Sequence, residues 1–271
     1  MQPAQPQKLT PIRKTYIWGT EDWMLSWFNE GLEDIPLLIK IIKAREALSV
    51  QVHPGNAFAE EKEHKSGKTE MLDCEPGSYL YYGLKHKISE DEFRKRIQNQ
   101  TILEVCRKMP VKKGDVFYIP AGLLHAIGAG ITVAEIQQSS DVTYRVYDYN
   151  RENASHEKRP LHIEKAAQVA GFMPPLAGHR PMGPRIRKNG YSRTLLVQCP
   201  YFVVQLYEIS ESMIGDTTGD FQSLLILEGE GVLKTRFGAM PLAAGDSIYL
   251  PQETGDYQII GTLQLLRSTA E

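Results

Sequence analysis

The sequence predicts a mainly β protein built from two related β units, with a small helical segment in the first unit. Three observations support this prediction. Short apolar runs that alternate with period two recur along the chain, turn residues separate them, and one strand motif occurs twice. Many short strands at fairly even spacing are typical of β-sandwiches and barrels, and 271 residues suffice for two domains of ordinary size.

The first strong strand signals lie at 37–42 and 48–53. The first run is apolar except for Lys40, and the second alternates until Pro54 and Gly55 end it. The same combination of alternation and flanking turn residues predicts strands at 79–82, 116–119, 131–136, 203–207, 224–227 and 247–250.

One helix is predicted within a helical insertion around residues 89–107. Ser89 precedes Glu92 by three positions, which is the spacing of a capping box, and Phe93 and Ile97 then recur on one helix face. The basic residues at 94–96 could form a nucleic-acid contact. Because acidic residues directly precede them, a solvated helix surface is the favoured interpretation.

The strand motif that occurs twice begins at Gly114 and again at Gly245. Each copy has a Gly-Asp turn, an alternating strand and a closing proline. His125 follows the first copy, whereas Asp256 holds the corresponding position after the second. The second copy therefore lacks the histidine that could bind a metal ion in the first.

A stretch rich in proline and glycine at 173–184 separates the two copies and is typical of a linker. We therefore expect residues 1–180 to form a metal-binding catalytic domain. Residues 181–271 are expected to form a smaller C-terminal β domain without metal ligands.

Composition excludes several classes of protein. Apolar residues make up 42% of the chain, which excludes disorder as the main state. A net charge of −2 argues against a dedicated binder of nucleic acid or of anionic membranes. Three scattered cysteines without a C-x-x-C motif indicate a reducing compartment, and neither a signal peptide nor a membrane span is predicted. We expect a cytoplasmic protein, whose oligomeric state the sequence leaves open.

Four residues could bind one metal ion. Gln51 and His53 project from the same face of a strand because strand side chains alternate, and Glu70 and His125 follow in turn contexts. Imidazole and carboxylate suit Zn²⁺, whereas the amide oxygen of Gln51 would be a weak ligand. Singly, each residue has an ordinary structural explanation, as a strand histidine, a surface glutamate or a turn cap. The hypothesis depends on their joint placement.

A second group of polar residues runs from Glu135 to Arg145. Glu135 could act as a general base, and Arg145 could bind an anion or a developing oxyanion. An ordinary hairpin is the alternative. Surface roles are expected for Arg151 and Arg159. No phosphate-binding loop, nucleophile elbow or H-E-x-x-H motif competes with this interpretation.

Several blocks resemble one known family. Residues 114–125 fit the second cupin motif, G-x5-P-x-G-x2-H, although Ala129 stands where that motif has a later asparagine. Q-x-H-P at 51–54, G-K-T-E at 67–70 and E-I-Q-Q-S-S-D-x-T-Y-R-V-Y-D-Y at 135–149 resemble class I mannose-6-phosphate isomerases of the short bacterial type, in the cupin superfamily.

The resemblance implies two cupin-like β-barrel (jelly-roll) units and one Zn²⁺ per chain. It also implies the reversible conversion of mannose 6-phosphate to fructose 6-phosphate through an enediol, so that the partner is a small sugar phosphate. The residues it assigns are the metal ligands Gln51, His53, Glu70 and His125, the catalytic residues Arg145, Glu135 and Lys68, and the substrate-binding residues Ser49, Lys68 and Arg145.

Met24 departs from the family pattern because it replaces a glutamate, in an N-terminal region that is shorter than expected. Two other functions are alternatives. An iron-dependent cupin oxygenase is disfavoured by Gln51, although ligand type alone does not exclude iron. A sugar-binding regulator that has lost catalysis would need no Arg145, yet Arg145 is present.

Overall fold

The computed structural model describes residues 4–74, 78–152, 155–176 and 178–271, without the side chain of Cys74. Within these ranges the strands form sheets of six, five and nine strands. The prediction of a mainly β fold is confirmed.

The strands of the N-terminal half precede a segment whose described residues include no named strand. They are β1 (Gln7–Leu9), β2 (Ile12–Tyr16), β3 (Gly19–Leu25), β4 (Leu37–Ala44), β5 (Val50–Val52), β6 (Glu70–Cys74), β7 (Tyr79–Leu84), β8 (Cys106–Pro110), β9 (Val116–Ile119), β10 (His125–Ile127), β11 (Ile131–Gln138) and β12 (Tyr144–Tyr147). The helices are α1 (Asn56–Glu63), α2 (Glu90–Gln98) and α3 (Ile163–Val169).

The C-terminal strands include one much longer than the run predicted at 224–227, and another, at the C-terminal end of the nine-strand unit, that was not predicted. They are β13 (Arg185–Lys188), β14 (Tyr191–Cys199), β15 (Phe202–Ile209), β16 (Ser212–Asp216), β17 (Gln222–Thr235), β18 (Gly238–Ala243), β19 (Ser247–Leu250) and β20 (Asp256–Ala270).

The chain divides into two compact units. The two-sheet unit comprises the described residues of Arg13–Glu21 and Ile41–His179. The nine-strand unit comprises those of Met1–Ile12, Asp22–Lys40 and Arg180–Glu271. The assignment of catalysis to residues 1–180, and of a domain without metal ligands to 181–271, stays a prediction.

In the two-sheet unit, the five-stranded sheet has the order β12-β5-β10-β7-β8, and strands β11, β6 and β9 of the six-stranded sheet are neighbours. Leu80 and Ile127 from the first sheet share a buried cluster with Leu72, Phe117 and Val133 from the second. Burial of this apolar surface is the main stabilising contribution, at about 25 cal/mol per Å². The inner faces of the two sheets therefore pack against each other.

The other face of the five-stranded sheet packs against the helices. Val52 and Tyr144 of that sheet lie in one buried cluster with Phe93 and Ile97 of α2. The predicted helix is confirmed, because the Ser89 hydroxyl accepts a hydrogen bond of 3.1 Å from the backbone N–H of Glu92. The helices thus cover the outer face of the five-stranded sheet, and its inner face is directed at the other sheet.

The nine-strand unit has the sheet order β1-β19-β17-β20-β15-β14-β13, with β16 on β20 and β18 on β17. Its apolar cluster includes Leu224, Leu233, Ile259 and Leu265. Strand β1 pairs with β19, and Gln7 lies opposite Tyr249. This unit therefore has a core of its own.

The predicted linker at 173–184 has no helix or strand among its described residues, which exclude residue 177. Its His179 ring stacks on Phe117, with centroids 5.5 Å apart. Cys106 and Cys199 are free and buried, whereas the thiol of Cys74 lies outside the described part. None of the described helices is long and apolar enough to cross a bilayer. The cytoplasmic location stays a prediction.

Candidate metal centre and catalytic groups

Three neighbouring strands of the five-stranded sheet place Arg145, Gln51 and His125 in one row. Arg145 lies opposite Gln51 in the β12–β5 pair, and His125 lies opposite Gln51 in the β10–β5 pair. Residues directly opposite each other project from the same face of a sheet. Because the alternate residues Val52 and Tyr144 face the helices, this row lies on the inner face.

The six-stranded sheet supplies Glu70 and Glu135 from its own inner face. Glu70 lies opposite Gln137, and Glu135 lies opposite Leu72, in the β11–β6 pair. Leu72 belongs to the buried cluster between the sheets. Residues two apart on a strand share a face, so Glu70, Glu135 and Gln137 all face the interior of the two-sheet unit.

His53, Glu70 and His125 converge at this interior. One ligand atom from each lies within 4.8 Å of the others. The Nε2 atom of His125 is 2.8 Å from Glu70 Oε1, and the Nε2 atom of His53 is 3.7 Å from Glu70 Oε2. No side chain of the three is more than 1% exposed. The joint placement expected from the sequence is present in the structure.

Backbone carbonyls fix the orientation of both imidazole rings. The Nδ1 atom of His53 lies 2.8 Å from the carbonyl oxygen of Val142, and that of His125 lies 2.9 Å from the carbonyl oxygen of Leu123. A carbonyl oxygen can only accept, so Nδ1 carries the proton in each ring. In the neutral ring, Nε2 is then left with its lone pair directed toward Glu70, as in histidines that bind metals.

The residues fit a divalent cation. Nε2 of His53 and Oε2 of Glu70 are buried and have no hydrogen-bond partner among the described residues. At His125, a neutral Nε2 and a carboxylate oxygen 2.8 Å apart would direct two lone pairs at each other unless a cation or a proton lies between them. Two imidazole nitrogens and one carboxylate oxygen are a donor set that zinc accepts.

Burial and charge favour the protonation states that metal binding requires. Burial, reinforced by the Lys68 charge, holds the pKa of His53 well below its usual value, so the ring is neutral at pH 7. Burial alone would raise the pKa of Glu70. The positive charge of Lys68 is the largest of the effects that outweigh burial, and the pKa of Glu70 lies well below its usual value. Glu70 is therefore a carboxylate.

Gln51 reaches the edge of this cluster. Its Nε2 atom is 3.3 Å from Nε2 of His125. A half-turn of the amide exchanges Nε2 with Oε1 and would present the oxygen instead. The structure thus brings the fourth expected residue next to the three that converge.

Lys68 and Glu135 are buried beside Glu70. The Lys68 Nζ atom is 2.8 Å from Glu70 Oε2, close enough for an ion pair although not aligned as a hydrogen bond. It is 3.7 Å from Glu135 Oε1. Two carboxylates and one ammonium leave a net charge of −1, which an added cation would offset. Ser49 is also buried, two residues before Gln51.

Arg145 is held by the segment that follows β12. Its backbone N–H donates to Nδ1 of His162 over 3.0 Å, and its guanidinium donates to the carbonyl oxygen of Pro160 over 3.0 Å. Its Nε is buried and has no partner among the described residues. Burial, with the charge of Arg159 nearby, lowers the pKa of Arg145. Because its Nε has no hydrogen-bond partner among the described residues, the guanidinium can still donate to an anionic partner.

The sequence interpretation missed an ion-pair group next to Arg145. Asp148 is buried and accepts hydrogen bonds from both Arg151 and Arg159. Arg151 also donates to the carbonyl oxygen of Ala47 over 2.6 Å. The surface role expected for Arg151 is wrong, because its side chain is only 13% exposed. The available signal was an aspartate followed by two arginines, three and eleven positions later in the sequence.

Gln137 was also missed. Its Nε2 donates to the carbonyl oxygens of Gln138 and Ser140, over 2.8 and 2.6 Å. Its Oε1 is buried without a hydrogen-bond partner among the described residues. Because both N–H groups are used, the amide cannot be reversed, and Oε1 is available only as an acceptor.

Known proteins are similar to this chain along most of its length. The family model described as "Mannose-6-phosphate isomerase, cupin domain" matches residues 192–270. A mannose-6-phosphate isomerase of Streptococcus mutans is 39% identical over 243 residues, which is 89% of this chain and 76% of the relative. ManA, a mannose-6-phosphate isomerase of Bacillus subtilis, is 35% identical over 237 residues, covering 86% of this chain and 74% of that protein.

A solved structure of a mannose 6-phosphate isomerase is also similar to this chain. The crystal structure of the mannose 6-phosphate isomerase from Bacillus subtilis has a TM-score of 0.88 and 29% sequence identity. The match covers 98% of this chain and 99% of that one. The similarity therefore extends over both compact units.

Proposed function

The chain belongs to the mannose-6-phosphate isomerase family, whose members have a cupin fold, and from this premise we propose a zinc-dependent mechanism that passes through an enediol. The proposed reaction interconverts mannose 6-phosphate and fructose 6-phosphate. The observation that carries the proposal is the buried convergence of His53, Glu70 and His125.

The proposed ligands of one Zn²⁺ per chain are His53, Glu70 and His125, with Gln51 as the fourth. The Nε2 atom of His53, buried without a hydrogen-bond partner among the described residues, supports this assignment. When bound, the ion would supply positive charge that polarises or orients the sugar oxygens.

The isomerisation moves a proton between two neighbouring carbons. In the aldose-to-ketose direction, the C2–H bond breaks, a C1–H bond forms, O1 gains a proton and O2 loses one. We assign the carboxylate of Glu135 as the base that takes the C2 proton and returns it to C1. Its position on the inner face, 3.7 Å from Lys68, supports this role.

Arg145 is proposed to stabilise the negative charge that develops on the enediolate. Its buried Nε without a partner supports the assignment, because a preorganised donor in a dry site acts strongly on developing charge. Lys68 and Ser49 are proposed to contact the substrate. Binding the phosphate away from C1 would position the reacting carbons.

The direct test is a coupled assay of fructose 6-phosphate formation from mannose 6-phosphate, on metal-stripped protein with and without added Zn²⁺. We expect turnover only after zinc is restored. Oxygen uptake with bound iron would instead indicate an oxygenase. Sugar-phosphate binding that raises Tm without turnover would indicate a regulator. Either result would overturn the proposal.

A further inference from the structure

Lys68 lies in an irregular segment outside the sheets, and side chains supply part of its backbone hydrogen bonding. Helix α1 ends at Glu63 and strand β6 begins at Glu70, and residues 66–69 have no helix or strand between them. Lys68 and Thr69 are nevertheless buried. Buried backbone N–H groups need acceptors, so the position of Lys68 depends on what supplies them.

Three successive amides of this segment have acceptors from outside it. The N–H of Gly67 donates to Asn56 Oδ1 over 2.9 Å, and that of Thr69 donates to Gln138 Oε1 over 3.0 Å. The N–H of Lys68 itself donates to the carbonyl oxygen of Pro54 over 3.0 Å. Two of the three acceptors are therefore side-chain oxygens.

The two side chains are bonded to each other. Gln138 Nε2 donates to Asn56 Oδ1 over 3.0 Å, so this one oxygen accepts from both Gln138 and Gly67. The backbone N–H of Gln138 also donates to the carbonyl oxygen of Thr69 over 3.2 Å. Asn56 and Gln138 thus connect the amides of Gly67 and Thr69, which flank Lys68. We call this pair of side chains the amide clamp.

Gly67 lets the clamp close. A Cβ atom at this position would lie 2.5 Å from the backbone nitrogen of Asn56 and 2.8 Å from the carbonyl oxygen of Pro54. Neither backbone group could tolerate such an approach. Only glycine allows the segment to come this close to the start of α1.

We propose that Asn56 and Gln138 are positioning residues that hold Lys68 and Glu70 in register with Glu135. The clamp resides on β11, three residues after Glu135, and on the first residue of α1. It therefore ties the strand that carries the assigned base to the segment that carries Lys68. Small displacements of reacting groups have large effects on rate. The inference rests on the proposed function, because it assumes that Lys68 and Glu135 act on the substrate.

A matched pair of substitutions at Asn56 tests the clamp. Asn56→Asp keeps an acceptor oxygen for both hydrogen bonds, and an acidic residue is tolerated in the first turn of a helix. Asn56→Ala removes the acceptor. We expect Asn56→Ala to lower kcat about 10- to 100-fold, as loss of a supporting contact does around metal sites, with bound zinc unchanged at one per chain. Asn56→Asp should stay within about threefold of the unsubstituted protein.

Hydrogen exchange separates the clamp from the activity. Asn56→Ala should speed exchange of the Gly67 and Thr69 amides by about tenfold or more, whereas Asn56→Asp should leave it slow. Unchanged exchange in Asn56→Ala, or equal impairment of both variants, would overturn the inference. So would a loss of kcat that only parallels a loss of zinc. If the exchange changes as expected but the unsubstituted protein shows no turnover, the proposed function fails and the clamp stands.

Discussion

The Nε2 atom of His125 lies 2.8 Å from Oε1 of Glu70 inside the two-sheet unit, although 55 positions separate the residues in sequence (125 minus 70). The strands of two different sheets bring them together. A cation between them would bind two donors that the fold has already placed, so little chain entropy would be lost on binding.

Replacing His125 by alanine should remove bound metal and turnover together. The ring supplies one of the three converging donors, and the two that remain, His53 and Glu70, would bind a metal ion much more weakly. Metal content by mass spectrometry and the coupled assay measure the two effects. His156→Ala is the matched control, because its ring is 90% exposed, and it should change neither. A fully active His125→Ala protein would show that His125 is not a required metal ligand.

Replacing Arg145 by alanine should lower kcat by about 100- to 1,000-fold while zinc stays bound, since the loss concerns the developing oxyanion. The exposed Arg187 provides the control substitution. Loss of zinc from Arg145→Ala would show that Arg145 supports the metal site instead of the substrate.

Replacing Asp148 by asparagine should lower the free energy of unfolding at pH 7 by about 1–3 kcal/mol, because two arginines lose a charged acceptor. Urea unfolding would measure the change. Asp141→Asn, whose carboxylate is 53% exposed in its pair with Lys65, should change stability by less than about 0.5 kcal/mol.

The stability of the unsubstituted protein and that of Asp148→Asn should also depend differently on pH. Burial raises the pKa of Asp148, but the hydrogen bonds from Arg159 and Arg151 outweigh it and the folded pKa lies below the usual value. The stabilisation is therefore complete above about pH 4, the unfolded pKa, and is lost as the pH falls through the folded pKa. The stability difference between Asp148→Asn and the unsubstituted protein should shrink over that window. A constant difference down to pH 2 would contradict the assignment.

Replacing Ser89 by alanine should destabilise the protein by about 1 kcal/mol, because the first turn of α2 loses its cap. Ser89→Asp keeps an acceptor and should be nearly neutral. Thermal unfolding of both variants tests this, and equal Tm values for them would show that the cap contributes nothing.

Strands with clear punctuation were predicted well from the sequence. The boundaries at 116–119 and 247–250 agree with the structure, since a Gly-Asp turn and a proline bracket each of them. Strand β17 was predicted to end at 227, yet it continues to Thr235. The pairing shifts register after Ile226, and the strand continues through Gly229, which has a positive φ of 78°. In the sequence, a glycine at this point resembles a turn, so the prediction stopped the strand too early.

The candidate site likewise has a part that could be predicted from the sequence and a part that could not. His53, Glu70 and His125 each stand in a recognisable strand or turn context, so their convergence could be expected. The Asp148 ion pairs and the amide clamp could not be. Asn56 and Gln138 are 82 positions apart, and no local pattern marks side chains that meet only after the sheets have formed.

The pairing of β1 with β19 has a consequence for biosynthesis. Gln7 leaves the ribosome 242 residues before its partner Tyr249 (249 minus 7), which is on the order of 10–50 seconds of translation. The two-sheet unit ends at His179, so its residues are all synthesised while the nine-strand unit still lacks most of its strands. Strand β1 must therefore wait, without its β19 partner, until β19 has been synthesised.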